Sequence, residues 1–245
     1  MSFPAFPIFI GKINEMKDSD FSIPDCLVIF DCDGVLIDSE AVSSRIEHDA
    51  LRRQGCLISR EEYLELSLGR SDEDELWRSL ALSWDIELPK GFSDMIRAEI
   101  NEALRSELQP IDGVMEMLEQ LSFEKCIASG ASPERLELTL GLTGLSGEFT
   151  GRCFSGHMVP RGKPFPDVFL LAARSMGYSP RNCVVVEDST NGVKAAISAG
   201  MTVFGFTGAS HCLPSLGDEL RALGCREVFS DLRDLPVLLR EFSRA

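Results

Sequence analysis

The sequence predicts an α/β fold, a doubly wound parallel-sheet core interrupted by an inserted α-helical domain. Three observations carry this. An apolar run, Cys26-Leu27-Val28-Ile29-Phe30, reads as a fully buried strand. From Ala41 to about Leu108 the apolar spacing is helical throughout. After Pro110 short apolar strands alternate with amphipathic helices, the pattern of βαβ units around a parallel sheet. The first strand precedes the helical stretch and its partners follow it, so the helices are expected to enter between core elements. The expected boundaries are an N-terminal extension over 1–24, a core over 25–40 and 109–245, and a helical cap over 41–108.

Each element has a local reason. Val42, Ile46, Ala50 and Leu51 recur at helical spacing, and Gly55 after Gln54 is a stop. Ser59-Arg60-Glu61-Glu62 and Ser71-Asp72-Glu73-Asp74 both read as capping boxes that open further helices. A last inserted helix is expected over 93–108, with Ile96, Ile100 and Leu104 on one face. Later strands are expected at 125–129, 153–155, 182–187 and 202–206, with a weaker one near 227–230. Helices at 113–121, 133–140, 166–176 and 190–199 fall between them. Ser132 with Pro133 starts one, and Gly177 and Gly200 stop two others.

Composition narrows the function classes. At 245 residues the chain is long enough for one sizeable core plus an insertion. Its formal charge of -15 argues against nucleic acid as a partner, because no basic patch could dominate the field. No membrane span is expected. The run from Phe3 to Ile10 is short and broken by Pro4 and Pro7, and no basic residue precedes it as in a secretory signal. The eight cysteines form no Cys-x-x-Cys pair, and Cys26, Cys126 and Cys183 lie in expected strands. They read as small buried hydrophobes of a reducing, cytoplasmic protein, without zinc or disulfides. His48, His157 and His211 are scattered and are expected at the surface.

Chemistry concentrates where strands end. Asp31 and Asp33 follow the first strand two residues apart, so their carboxylates point to one side, and Gly34 lets the backbone turn away. Carboxylates crowded in this way repel unless a cation sits between them, and a hard divalent ion such as Mg²⁺ suits oxygen donors. A strand-to-loop turn with solvated acids fits the Asp-x-Asp equally well by itself. Glu187 and Asp188 end the most hydrophobic strand, where two acids serve no stability purpose. Adjacent strand residues face opposite sides, so one is expected on a metal directly and the other through water, with Asp188 the firmer ligand.

The stretch Asp31-Cys32-Asp33-Gly34-Val35-Leu36 resembles the first motif of the haloacid dehalogenase-like phosphohydrolases, Asp-x-Asp-Gly-[Thr/Val]-Leu. Three more of that family's motifs are matched in order. They are Ser129 after Lys125-Cys126-Ile127-Ala128, Lys163 in Gly162-Lys163-Pro164-Phe165-Pro166-Asp167, and Glu187-Asp188 after Cys183-Val184-Val185-Val186. The resemblance covers roughly residues 25–230 and lies nearest the sugar-phosphate phosphatase and β-phosphoglucomutase group, whose helical cap follows the first motif.

The resemblance implies a Mg²⁺-dependent phosphatase acting on a small phosphorylated metabolite, a sugar or sugar-acid phosphate. Asp31 is then the nucleophile that forms an aspartyl phosphate, and Asp33 the acid and base. It also implies that the Asp33 backbone carbonyl, not its carboxylate, joins Asp31 and Asp188 on the metal. Ser129, Gly130 and following amides are expected on phosphate oxygens near a helix start. Lys163 is expected to pair with Asp31 and the transferring group, with Arg161 as the local competitor. Gly34, Glu40, Asn191 and Arg70 complete the expected substrate contacts, with specificity around Gly69–Asp72 and near Glu40, Ser44 and Arg45. Cys32 is expected to face away as an inert thiol.

Alternatives stay open. A phosphomutase of this family carries an Arg after the Ser of a cap turn, where Gly69-Arg70-Ser71-Asp72 has Asp72. Dehalogenase chemistry would not need Glu187-Asp188, and a phosphonatase would need a cap lysine, of which the span holds only Lys90. A non-catalytic binding protein on the same fold is the remaining alternative. Nothing in the residues speaks to oligomeric state.

Overall fold

The computed structural model describes residues 26–67 and 73–243. The chain opens with β1 (Leu27–Phe30), followed by four helices: α1 (Ser39–Arg53), α2 (Arg60–Ser67), α3 (Glu73–Ser83) and α4 (Phe92–Glu107). The core resumes with α5 (Val114–Gln120), β2 (Glu124–Ser129), α6 (Pro133–Leu142), α7 (Ser146–Phe149) and β3 (Cys153–Ser155). It continues through α8 (Asp167–Met176), β4 (Cys183–Glu187), α9 (Thr190–Ser198) and β5 (Thr202–Phe206). The last elements are α10 (Leu216–Leu223), β6 (Glu227–Phe229) and α11 (Leu235–Phe242).

The strands form one six-stranded sheet in the order β3-β2-β1-β4-β5-β6, parallel at every pairing. This is the doubly wound α/β architecture that the sequence predicts. β1 lies at the centre because all four of its residues are apolar and fully buried. Strand alternation divides the core in two. Val28, Phe30, Val184, Val186 and Phe204 pack with Val114, Leu136 and Leu239 on one face. Leu27, Ile29, Val185 and Val203 pack with Phe169, Val193 and Leu220 on the other. Chain order reverses between β1 and β4, the place where open parallel sheets leave a crevice at their carboxyl ends.

The inserted helices follow the expected signals. α1 ends at Arg53 with Gln54 as its cap, and Gly55 takes φ +99°. The Ser59–Glu62 capping box is reciprocal: Glu62 N–H donates to Ser59 Oγ, and Ser59 N–H donates to Glu62 Oε2. Ile96, Ile100 and Leu104 are buried along α4, which packs on α1. Ser71 and Asp72 of the second capping box and the Gly69–Asp72 turn, with Arg70, lie outside the described residues, as does the extension over 1–24; α3 itself begins at Glu73. Three short helices have no counterpart in the sequence reading: α7, α10 and α11. Each spans eight residues or fewer, too few for the apolar period to repeat clearly.

All eight cysteines are free thiols; Cys126 and Cys183 are buried in strands as expected, whereas Cys26 is buried just ahead of β1, which starts at Leu27. The histidines need correction. Only His157 is exposed, whereas His48 and His211 are buried. His48 reaches the Ile58 carbonyl at 3.0 Å, a contact no linear pattern announces. Among the described residues no helix is long and apolar enough to cross a membrane.

Candidate active site

The four motifs converge at the carboxyl ends of β1, β2 and β4 and on the loop before α8. Asp31 continues β1 by donating its N–H to the Val186 carbonyl at 2.9 Å. The chain then turns back: Leu36 N–H bonds the Cys32 carbonyl and Gly34 N–H bonds the Ile37 carbonyl. This turn carries Asp33 above the sheet end, where Ser39 Oγ donates to its Oδ1 at 2.5 Å. Ser129 Oγ lies 3.4 Å from Asp33 Oδ2. Gly34 takes φ +81°, and a Cβ there would fall on the Asp188 carboxylate. Only glycine meets both demands. Cys32 is fully buried, and burial pushes its thiol well above the usual range, in keeping with an inert group.

Ser129 ends β2 with 1% exposure, and its Oγ accepts the Ala131 N–H at 3.0 Å. Ser132 caps α6 by accepting the Arg135 N–H, so the loop Gly130–Ser132 leads into a helix start as expected.

Lys163 is the one ammonium at the centre of the described cluster. Its Nζ lies 2.9 Å from Asp31 Oδ1 and 2.6 Å from Glu187 Oε1, with the Phe169 ring beneath it at 5.0 Å. Burial pulls its pKa down, but the Asp31 and Glu187 charges outweigh this and hold it above the ordinary lysine value. Arg161, the local competitor, instead pairs with Asp167 at 2.9 Å over the Phe165 ring.

Glu187 is fully buried with both oxygens engaged. Oε1 takes Lys163, and Oε2 accepts Ser189 N–H at 2.8 Å and Ser189 Oγ at 3.0 Å. A Cβ at Gly192 would overlap this carboxylate, so the first turn of α9 has to pass it bare. Asp188 has a different partner: its Oδ2 lies 3.0 Å from His211 Nε2. One oxygen from each of Asp31, Glu187 and Asp188 falls within 4.8 Å of the others, all three residues buried. Burial raises the Asp31 pKa well above the usual carboxylate range; Lys163 opposes this, and Glu187, Asp188 and Asp33 add to it. Burial likewise raises Asp188, while the Asp188 carboxylate overcomes burial at His211 and lifts that imidazole to about 11. Such a crowded, oxygen-only set fits a hard divalent cation.

Above these residues a cavity of about 1540 Å³ opens between the sheet end and the inserted helices. Asp31, Asp33, Ser129, Gly130, Lys163, Asp188 and Asn191 form its floor, and Glu40, Ser43 and Glu47 of α1 face it from the insert. Glu40 is half-buried; burial and the nearby Asp33 charge push its carboxyl up to about 8. Ser44 and Arg45 do not line the cavity. Ser44 bonds the Ala41 carbonyl and Arg45 pairs with Glu107, because the cavity face of α1 runs through 40, 43 and 47. Two further residues escaped sequence reasoning. Arg135 reaches from α6 to within 3.6 Å of Asp33 Oδ1 and 3.4 Å of Ser43 Oγ. His211 sits just beyond β5, and its place past the carboxyl end of a sheet strand was the signal that could have found it.

The haloacid dehalogenase-like hydrolase family model matches residues 27–200, and the chain belongs to that family. It is 30% identical over 212 residues to the 6-phosphogluconate phosphatase of Escherichia coli K12, covering 86% of this chain and 93% of that protein. Hexitol phosphatase B of the same organism is 32% identical over 178 residues, 71% of this chain and 79% of that one. The crystal structure of a haloacid dehalogenase-like protein from Agrobacterium tumefaciens superposes with TM-score 0.83 at 37% identity, covering 89% of this chain and 98% of that chain. The chain is thus a phosphoric monoester hydrolase whose relatives are sugar-phosphate phosphatases.

Proposed function

We propose that the enzyme hydrolyses a sugar or sugar-acid phosphate with Mg²⁺, through an aspartyl phosphate on Asp31, and acts in the cytoplasm. The observation that carries this is the placement of Asp31 between Lys163 Nζ, at 2.9 Å, and the Asp188 carboxylate, on the floor of a large cavity. Asp31, Asp188 and the Asp33 backbone carbonyl would hold the cation. Glu187, its oxygens already taken by Lys163 and Ser189, holds the lysine in place instead. Bound there, Mg²⁺ supplies charge neutralisation that lets a phosphate anion approach a carboxylate.

The residues then divide the work. Ser129, Gly130 and the loop amides hold phosphate oxygens, and Lys163 spreads the charge that develops on them. An Asp31 oxygen forms a bond to phosphorus as the bond from phosphorus to the leaving oxygen breaks, and Asp33 gives its proton to that oxygen. Water then attacks phosphorus, the bond to Asp31 breaks, and Asp33 takes the water proton. Ser39 holds the Asp33 carboxylate in reach for both transfers. In this reading residues 41–108 act as a cap over a core of 25–40 and 109–245, and Glu40, Asn191 and Arg70 contact the leaving group or phosphate.

A panel of metabolite phosphates, assayed for phosphate release with Mg²⁺ and with chelator, tests the proposal. Sugar phosphates should lead the panel and chelation should abolish release. Asp31→Asn should lose more than about 100-fold, roughly 2.7 kcal/mol of barrier. Retention of rate in that variant would remove Asp31 as nucleophile. Conversion of a hexose 1-phosphate to its 6-phosphate faster than phosphate release would make the enzyme a mutase instead.

A further inference from the structure

One buried group has no part in the steps above. His211 follows β5 with its side chain 5% exposed, and its Nε2 lies 3.0 Å from Asp188 Oδ2. Cys212 Sγ is farther from that nitrogen, at 3.9 Å, and Nδ1 has no hydrogen-bond partner among the described residues. The ring and the carboxylate both press on Gly34: a Cβ there would strike Asp188 and stand 2.8 Å from His211 Cε1. Loops following β1, β4 and β5 therefore meet at this point, and the meeting is possible only over bare backbone.

Asp188 needs such support. Its neighbours Asp31 and Glu187 offer oxygens within 4.8 Å, and the nearby ammonium of Lys163 is committed to those two. Repulsion from both carboxylates would turn an unheld Asp188 side chain away. A hydrogen bond from outside the acid group opposes this, and it comes from a ring fixed by its own burial.

We propose that His211 is a positioning residue that holds the Asp188 carboxylate in place to receive the cation it shares with Asp31. The proposal rests on the reading of Asp188 as a metal ligand. A neutral imidazole with its proton on Nε2 is sufficient, so the role requires no change of charge. Groups that donate to a ligand in this way commonly alter metal affinity about 10–100-fold when removed.

The test is Mg²⁺ binding by calorimetry on the purified, substrate-free enzyme, with His211→Asn and His211→Gln compared. The Gln amide nitrogen reaches where Nε2 lies, whereas the Asn amide reaches only where Nδ1 lies. His211→Asn should weaken Mg²⁺ binding ~10–100-fold and His211→Gln by no more than about threefold. In turnover of an aryl phosphate, His211→Asn should raise the Mg²⁺ concentration for half-activity by a similar factor. At saturating Mg²⁺ its kcat should return to within roughly fivefold of the parent, since no reacting atom has been touched. A merely structural histidine would lower the melting temperature of both variants and leave Mg²⁺ affinity unchanged, which overturns the proposal. Equal weakening in both variants overturns it too. If His211→Asn does not fold, His211→Met fills a similar volume without a donor and carries the same expectation. Asp188→Asn is the control for the underlying reading. Unchanged Mg²⁺ affinity there removes Asp188 as ligand, whereas loss there with none at His211→Asn removes only the present inference.

Discussion

Replacing Lys163 by Met keeps the length of the side chain and removes its charge from between two buried carboxylates. Lys163 contacts Asp31 at 2.9 Å and Glu187 at 2.6 Å, and its side chain is 10% exposed, so solvent cannot take its place. Breaking a buried ion pair by deleting one partner costs about 3–5 kcal/mol, chiefly because the other charge stays behind unpaired. For a chain of this size each kcal/mol moves the melting temperature by about 2–4 °C, so a fall of roughly 6–20 °C is expected. Thermal unfolding without divalent metal measures this directly. Part of the loss should return in Lys163→Met/Glu187→Gln, where the second orphaned carboxylate is gone. The double variant should be less destabilised than the two single changes summed, by at least about 1 kcal/mol. Strict additivity, or a fall below about 3 °C for Lys163→Met, would refute the description of Lys163 as the clamp between two desolvated acids. Phosphate release should fall in the same variant by about 10³-fold, the scale of losing a transition-state charge contact.

Three further changes read other parts of the site. Asp33→Asn should reduce turnover by roughly 10² to 10⁴, more for a sugar phosphate than for an aryl phosphate; equal losses on the two substrates would count against proton donation to the leaving oxygen. Glu40 has its carboxyl raised to about 8 in the folded protein from an ordinary value of 4.5. The folded state thus binds more protons than the unfolded one between those values, and stability should decline as pH rises through that window. Urea unfolding of Glu40→Gln should show a flatter pH dependence there, and an unaltered slope would mean that the carboxyl titrates normally. Gly192→Ala should displace the Glu187 carboxylate that occupies the space of its Cβ and release Lys163. Loss of activity together with stability is the expected result, and a wild-type kcat would show that Glu187 is not needed to hold the lysine.

The chemistry was legible in the sequence wherever an apolar strand stops on a polar residue. Asp31, Ser129 and Glu187-Asp188 each stand where a buried strand runs out, and the parallel sheet carries all of those ends to one edge. What each side chain touches was less legible. That Glu187 meets Lys163 and Ser189, while Asp188 meets His211, follows from the alternation of adjacent residues only after the loops on either side are placed. His211 reads as a lone surface histidine, and its burial depends on Gly34, far away in the chain, having no side chain. On α1 the sequence pointed to Glu40, which lines the cavity, but to Ser44 and Arg45 in place of Ser43 and Glu47 on the same face. The buried chain from Trp77 Nε1 to Tyr63 Oη and on to Glu47 Oε2 joins three helices, and no local pattern predicts such pairing.

Net charge and site charge together make sense of the proposed metal. A chain with a formal charge of -15 offers a phosphate ester no general attraction, so attraction has to be local. Locally the sheet end presents Asp31, Asp33, Glu187 and Asp188, with Lys163 shared between two of them, Arg135 beside Asp33 and His211 on Asp188. Three cations therefore face four carboxylates, and an arriving phosphate dianion still meets surplus negative charge. Adding a second lysine would tie up the nucleophile, since an ammonium donates to whichever carboxylate it meets. Asp31 and Asp188 would instead hold a divalent cation, which would supply charge neutralisation while the Asp31 carboxylate stays available for attack. The acid surplus that would exclude the substrate from the protein alone is, on this argument, what fits the same cavity to take the substrate together with its metal.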